Sequence, residues 1–197
     1  MFDKKIILGS ASPRRKTLVD QLGVECEVRK QKVDEHYPTD LDPYEVPIYL
    51  AELKAQPLRS TIQGGEVLLT SDTVVIHNNK VLAKPRDEKE AFTMLSGLSN
   101  DMNEVVTGVS LYSTNYEETF SVQTRVFFLP LKEEEIEYYI KQYKPFDKAG
   151  AYGIQEWIGQ IGVKRIEGCF YNVMGLPVSQ IWKRLNEAFA RTDGIRP

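Results

Sequence analysis

The sequence predicts an α/β protein built on a mixed sheet, and three observations carry that prediction. Strand-like and helix-like stretches alternate along the chain instead of falling into separate blocks. Residues 66–76, EVLLTSDTVVI, form a β-branched and nearly continuous apolar run of the kind buried on both faces of a sheet. Residues 77–80, HNNK, read as a hairpin turn returning through Val81 and Leu82, which adds an antiparallel neighbour.

The elements follow in order. Ile6, Ile7 and Leu8 read as a short buried strand, followed by the small-residue turn at 9–12. Ser12 is a good N-cap and Pro13 suits a first helical position, while Gly23 suits the residue beyond the end. Leu18 and Leu22 give that helix its inner face. Arg14 and Arg15 then fall in its first turn, where free N–H groups and the helix dipole favour negative charge. Either the two arginines share an anion with the backbone amides, or they form a solvated turn pointing away.

Residues 24–28 alternate like a half-buried strand, and 31–43 form a polar, irregular loop. Residues 44–59 read as a helix with Ile48, Leu50, Leu53 and Leu58 inward and Lys54 near them; Pro57 is expected to end it. After the hairpin, Asp87 and Glu90 form a capping-box pattern for a helix ending near Leu95, before Gly97. Two further strands, 104–111 and 119–129, flank a turn at Asn115. Residues 132–143 make an amphipathic helix with acids in its first turn. Residues 144–171 carry no clear pattern, and 178–189 close the chain as a helix with Ile181, Trp182, Leu185 and Phe189 inward. The tail after Ala190 is expected to fray.

A chain of 197 residues can bury a full core, as one domain or two closely packed lobes. The formal net charge of −3 argues against a general nucleic-acid binder, but a small phosphorylated ligand needs only a few placed cations. Cys26 and Cys169 are too few for a disulfide framework or a cysteine zinc site. No stretch resembles a signal peptide or a membrane span, so a reduced, cytoplasmic setting without membrane association is expected.

Asp72 is the most informative residue, because it interrupts an apolar strand. A buried carboxylate without a partner costs several kcal/mol, so it calls for a cation, a metal or hydrogen-bond donors. The alternative ends the strand at Thr70 and leaves Asp72 bonded to loop amides. Lys84, beside Pro85, is stiffly placed to aim an ammonium or is a plain surface lysine; Glu35 lies in a loop where carboxylates are usually solvated. Together Asp72 and Glu35 would be hard oxygen ligands for Mg²⁺ or Mn²⁺, completed by substrate phosphates. His36 and His77, the two histidines, read as ordinary loop residues. In DKAGAYGIQ, residues 147–155, two glycines allow close backbone approach to a ligand, Lys148 could meet phosphate or carboxylate, and Gln155 could pair with a base edge. The same stretch could be a structured loop whose Asp147 caps a short helix. No P-loop, dinucleotide-binding glycine motif or zinc-protease motif is present.

These pieces resemble the Maf family of septum-formation-inhibitor-like nucleoside triphosphate pyrophosphatases. The matching motifs are SASPRR at 10–15, SDTVV at 71–75, KPRD at 84–87, VTGV at 106–109, DKAGAYGIQ at 147–155 and YNVMGLP at 171–177. They occur in the family's order, and the nine-residue DKAGAYGIQ match is very specific.

The resemblance implies a mixed, elongated sheet flanked by helices, in two lobes with a central cleft, the Maf and inosine triphosphatase-like fold. It implies a single domain over residues 1–190, with 191–197 as the frayed tail, commonly a homodimer. It further implies hydrolysis of a nucleoside triphosphate between the α- and β-phosphates, a house-cleaning reaction assisted by a divalent cation. Asp72 maps onto the family's proton acceptor. Glu35, Lys54 and Lys84 look like its metal- and phosphate-binding groups, with Glu35 and Asp72 on the metal and Ser10, Arg14 and Arg15 also on phosphate. Arg15, Thr73 and Gln155 match the specificity positions of the dTTP/UTP branch. Ser71, Asn103 and Met174 depart from the usual alanine, histidine and valine. Two other readings remain at this point: a pyrophosphatase for 7-methyl-GTP or for a broad set of non-standard nucleotides, and a non-catalytic nucleotide-binding factor influencing septum formation.

Overall fold

A computed structural model describes residues 2–189. The expected tail, 191–197, lies outside the described residues. Among the described residues seven strands form one mixed sheet: β1 (Lys5–Leu8), β2 (Cys26–Val28), β3 (Glu66–His77), β4 (Lys80–Leu82), β5 (Met102–Ser113), β6 (Tyr116–Phe128) and β7 (Val163–Glu167). Their order is β2-β1-β3-β5-β6-β7, with β4 paired to β3 off this path. β1 runs parallel to β2 and β3, and every other pairing is antiparallel. The helices are α1 (Pro13–Asp20), α2 (Val46–Arg59), α3 (Glu88–Leu98), α4 (Glu133–Tyr143), α5 (Trp157–Gly162), α6 (Phe170–Val173) and α7 (Val178–Phe189).

β3 organises the rest because both of its faces are covered. Val67, Leu69 and Val75 face one way; Leu68, Val74 and Ile76 face the other, as the two-residue period of a strand requires. The second face is covered by α2, through Leu50, Ala55 and Leu58. The first face is covered in two places. Ile6, Leu8, Leu18, Leu176, Ile181 and Leu185 form a cluster with Val67 and Leu69 under α1 and α7. Leu95, Val105, Phe128, Ile136, Tyr139 and Ile158 form another with Val75 under α3, α4 and α5. Met174 packs against both clusters.

One edge of β3 is interrupted. β1 pairs with it only as far as Leu69, and β4 only from Val75 onward, so among the described residues no strand lies beside 70–74 on that side. At about 3.3 Å per residue the interruption spans about 20 Å. On the other edge, pairing with β5 is continuous, with Asp72 opposite Gly108 and Thr73 opposite Thr107.

Local chemistry accounts for most boundaries. Asn78 and Asn79 adopt φ of 50° and 57°, the two left-handed positions of a type I′ hairpin turn. Asp87 caps α3 by accepting from the Glu90 amide at 2.8 Å, while the Glu90 carboxylate accepts from the Arg86 amide at 2.7 Å, one residue before the expected partner. α3 runs through Gly97 to Leu98, because Leu98 is fully buried and holds the last turn down. Pro57 does not end α2; the helix continues to Arg59, since the buried Leu58 anchors the turn beyond the proline. Along α2, Val46, Ala51 and Ala55 are the buried neighbours of Leu50, whereas Ile48 and Leu53 are half-buried, as is Trp182 in α7. His77 ends β3 and bonds Asp101 at 2.8 Å rather than lying in a loop. The unassigned stretch 144–171 resolves into a 3₁₀ turn (Ala149–Ala151), α5, β7 and the start of α6.

Gly108 lets α2 sit directly on the sheet. A Cβ there would lie 2.1 Å from the Pro47 carbonyl oxygen, whereas a Cβ at Gly97, in exposed helix, would meet nothing closer than 3.9 Å. Gly108→Ala should therefore lower stability by about 3 kcal/mol in urea titration, the scale of overpacking against a rigid neighbour. Gly97→Ala should raise it by about 0.5–1 kcal/mol through helix propensity.

Candidate active site

A cleft of about 390 Å³ opens along the interrupted edge of β3. All nine residues singled out in the sequence line it: Ser10, Arg14, Arg15, Glu35, Lys54, Asp72, Thr73, Lys84 and Gln155. With no strand beside residues 70–74, side chains from both faces of β3 reach one space. Asp72 projects to the α2 side and Thr73 to the α1 side.

On the α2 side, the strand continues through Asp72, which excludes the reading that it stops at Thr70. Asp72 keeps 13% of its side chain exposed, and its Oδ1 accepts from Lys54 Nζ at 2.5 Å. The same Nζ lies 3.2 Å from Glu35 Oε1, brought in by the loop after β2. Lys54 thus offsets the desolvation of Asp72 and ties the loop to the strand. Lys84 follows β4, is exposed, and makes no ion pair among the described residues, leaving its charge available to the cleft.

On the α1 side, Ser12 caps the helix by accepting from the Arg15 amide at 3.5 Å. The Arg15 guanidinium turns inward and is held by protein acceptors. Nε donates to the Gly175 carbonyl at 2.9 Å, Nη1 to the Ser71 carbonyl at 2.7 Å and Ser10 Oγ at 3.5 Å, and Nη2 to Thr73 Oγ1 at 3.0 Å. Burial lowers its pKa, opposed by the nearby Asp72 carboxylate. Arg14 pairs instead with Asp147 Oδ2 at 2.7 Å. The wrong-end cations of α1 are partnered by groups from other segments and do not form a solvated turn pointing away.

Asp147 does not cap a helix. The 3₁₀ turn begins after Lys148 with no side-chain cap, and the Asp147 carboxylate bridges Arg14 and Lys148 Nζ, the latter at 2.7 Å. Lys148, only 9% exposed, also reaches Glu156 Oε1 at 3.1 Å. Glu156 accepts from the Tyr139 hydroxyl, whose oxygen accepts from the Gly153 amide at 3.0 Å. Burial, and then the Glu156 carboxylate, push the Tyr139 phenol upward. Gly150, at φ 67°, has Val75 within 3.0 Å of where a Cβ would stand, so this turn closes on β3 only with glycine.

Glu156 escaped the sequence reading, and Thr107 and Asn172 entered it only inside the VTGV and YNVMGLP motifs, with no role of their own. Asn172 is fully buried, and its Nδ2 donates to the Val105 and Val122 carbonyls and to Thr124 Oγ1, at 3.1, 3.0 and 3.0 Å. The signal for Thr107 was the one used for Asp72: a polar residue inside an apolar strand run, VVTGVSL. Among the described residues no group of three or more His, Cys, Asp or Glu could hold a metal; the cleft offers the carboxylate pair Glu35 and Asp72.

Residues 5–188 match the Maf family model, described as Maf-like protein. A dTTP/UTP pyrophosphatase of Bacteroides thetaiotaomicron is 50% identical over 184 residues, covering 93% of this chain and 95% of that protein. One from Parabacteroides distasonis is 47% identical over 182 residues, covering 92% and 94%. Among solved structures, the Staphylococcus aureus Ham1 protein superposes with a TM-score of 0.51 at 14% identity, covering 94% of this chain and 100% of that one, a likeness of fold.

The Asp147 bridge has a pH signature. Burial would raise its carboxyl, but hydrogen bonds from Lys148 and Arg14 outweigh that and hold it at about 2, against an ordinary 3.8. A carboxyl lowered on folding stabilises the fold above its unfolded value, and the contribution fades as pH falls from about 4 to about 2. Asp147→Asn should cost under about 1 kcal/mol at pH 7, since the carboxylate is largely exposed. Urea titrations should show the two proteins converging in stability toward pH 2.

Proposed function

The chain belongs to the Maf family, and from that premise we propose that it hydrolyses dTTP and UTP to the monophosphate and pyrophosphate. The observation that carries this reading is the convergence of Asp72, Glu35, Lys54, Lys84 and Arg14 on one cleft beside the Arg15–Thr73 wall. A triphosphate brings several negative charges, and most of the catalytic effect in phosphoryl transfer comes from positioned opposite charge.

In this reading Asp72 orients the attacking water and takes its proton at the carboxylate. Lys54, already within hydrogen-bond distance of Asp72, holds that carboxylate in place. Lys84 and Arg14 meet the phosphate oxygens, with Ser10 alongside. Gln155, Arg15 and Thr73 contact the base. Glu35 and Asp72 fit a divalent cation: they are hard oxygen donors already converging on one positive charge, the Lys54 ammonium. Mg²⁺ typically takes one or two such carboxylates and completes its shell with water and substrate phosphates. Bound there, Mg²⁺ or Mn²⁺ would neutralise part of the triphosphate charge.

The same proposal treats residues 1–190 as one domain of two lobes, supported by the two large hydrophobic clusters on the first face of β3. No helix among the described residues is long and apolar enough to cross a membrane. A cytoplasmic homodimer that binds neither nucleic acid nor membrane is part of the reading, resting on the family likeness and composition.

With Mg²⁺ or Mn²⁺, product analysis across dTTP, UTP, CTP, GTP and 7-methyl-GTP should yield pyrophosphate and monophosphate from dTTP and UTP. Asp72→Asn should lower kcat at least about 100-fold, the lower scale of general-base catalysis, while nucleotide affinity moves only a few-fold. Glu35→Gln should weaken Mn²⁺ binding measured by calorimetry. Turnover of 7-methyl-GTP alone would overturn the pyrimidine assignment. Nucleotide binding without any turnover would leave a binding protein.

A further inference from the structure

Thr73 Oγ1 stands at the head of a hydrogen-bond chain running away from the cleft into the sheet. It accepts from Arg15 Nη2 at 3.0 Å and lies 2.9 Å from Thr107 Oγ1, which is 3.3 Å from the Asn172 carbonyl. Both ends have fixed roles, because a guanidinium can only donate and a carbonyl can only accept. Donation therefore runs Arg15 to Thr73 to Thr107 to Asn172. The other acceptor within reach, the Gly175 carbonyl, is farther away at 3.4 Å and already receives Arg15 Nε at 2.9 Å, so Thr107 takes the Thr73 proton. With Thr107 in place that proton is committed inward, leaving one lone pair as the group the hydroxyl can offer the cleft. Four of the five Arg15 N–H groups are engaged, which leaves one Nη2 hydrogen beside that oxygen.

We propose that Thr107, which is fully buried, is a positioning residue that fixes the polarity of the Thr73 hydroxyl. The wall then reads a hydrogen-bond donor next to an acceptor. Uracil and thymine present that pair as N3–H beside a carbonyl. Cytosine presents an acceptor at N3, which would face the Thr73 lone pair with no proton between them. Leaving polar groups unpaired in this way discriminates more sharply than adding favourable contacts. The inference rests on the base being seated at Arg15 and Thr73, as in the proposed function.

Thr107→Val is the test, because it keeps the shape and removes the acceptor. The Asn172 carbonyl keeps the Gly175 amide at 2.9 Å, so no buried carbonyl is left without a donor. With Mg²⁺ present, the kcat/KM preference of the parent for UTP over CTP should fall about tenfold, the value of one hydrogen bond. The change should lie in KM, with kcat for UTP nearly unchanged. Thr107→Ser should restore the parental ratio, and Thr107→Cys, with a weaker acceptor, should fall between. An unchanged ratio in folded Thr107→Val, a shift in kcat alone, or a parent that does not discriminate UTP from CTP would overturn the inference. If Thr107→Val does not fold, the Ser and Cys variants decide it. If the parent turns over no triphosphate, the proposed function fails, and the UMP-to-CMP ratio of dissociation constants in parent and variants decides the inference instead.

Discussion

The interruption along one edge of β3 is the feature on which the rest of the architecture depends. β1 stops at Leu69 and β4 starts at Val75, while β5 pairs with the opposite edge without a break. A strand with both edges filled would hide alternate residues on separate sides of a wall. With one edge open, Asp72 and Thr73 belong to opposite faces yet address a single cleft. Clefts in α/β proteins commonly arise where the chain leaves a sheet in different directions. Here the departure of β1 into α1 and the hairpin into β4 bound the opening at its two ends.

Charge placement follows from that opening. A carboxylate in the middle of a buried strand needs compensation, and α2 supplies Lys54 at hydrogen-bond distance. α2 can do so because Gly108 admits it directly onto β5 opposite Asp72. Arg15 fills the other side of the opening, where the Ser71 carbonyl would otherwise lack a strand partner. Arg14, Asp147, Lys148 and Glu156 then join the first helix to the glycine-rich turn through alternating charges. The site is thus a set of compensations for one missing strand segment.

How much of this could be read in the sequence depended on whether the signal was local. The β3 run, the Asn-Asn hairpin and the Ser12 and Asp87 caps are local, and they formed as expected. Asp72 was legible because an acid within an apolar strand conflicts with its surroundings. Helix ends were misread at Pro57 and Gly97 because burial of Leu58 and Leu98, a tertiary effect, outweighed the local stop signal. Residues 144–171 were opaque because their conformation is set by distant partners: Gly150 by Val75, Asp147 by Arg14, Cys169 by Thr124. The motifs quoted for the family resemblance contain seven of the nine cleft residues, all but Glu35 and Lys54, but nothing in their spacing revealed that Arg15 would be engaged by four protein acceptors.

An open strand edge has a second side, because unpaired backbone is a template on which another chain can add a strand and begin to aggregate. The residues lining this opening also guard it. Arg15 occupies the Ser71 carbonyl, and the charges of Asp72 and Lys54 make the edge a poor seat for an apolar strand. The side chains that shape the cleft would then also keep the protein dispersed: apolar replacements at Asp72 and Lys54 would strip the cleft of charge and open the edge to strand addition at once.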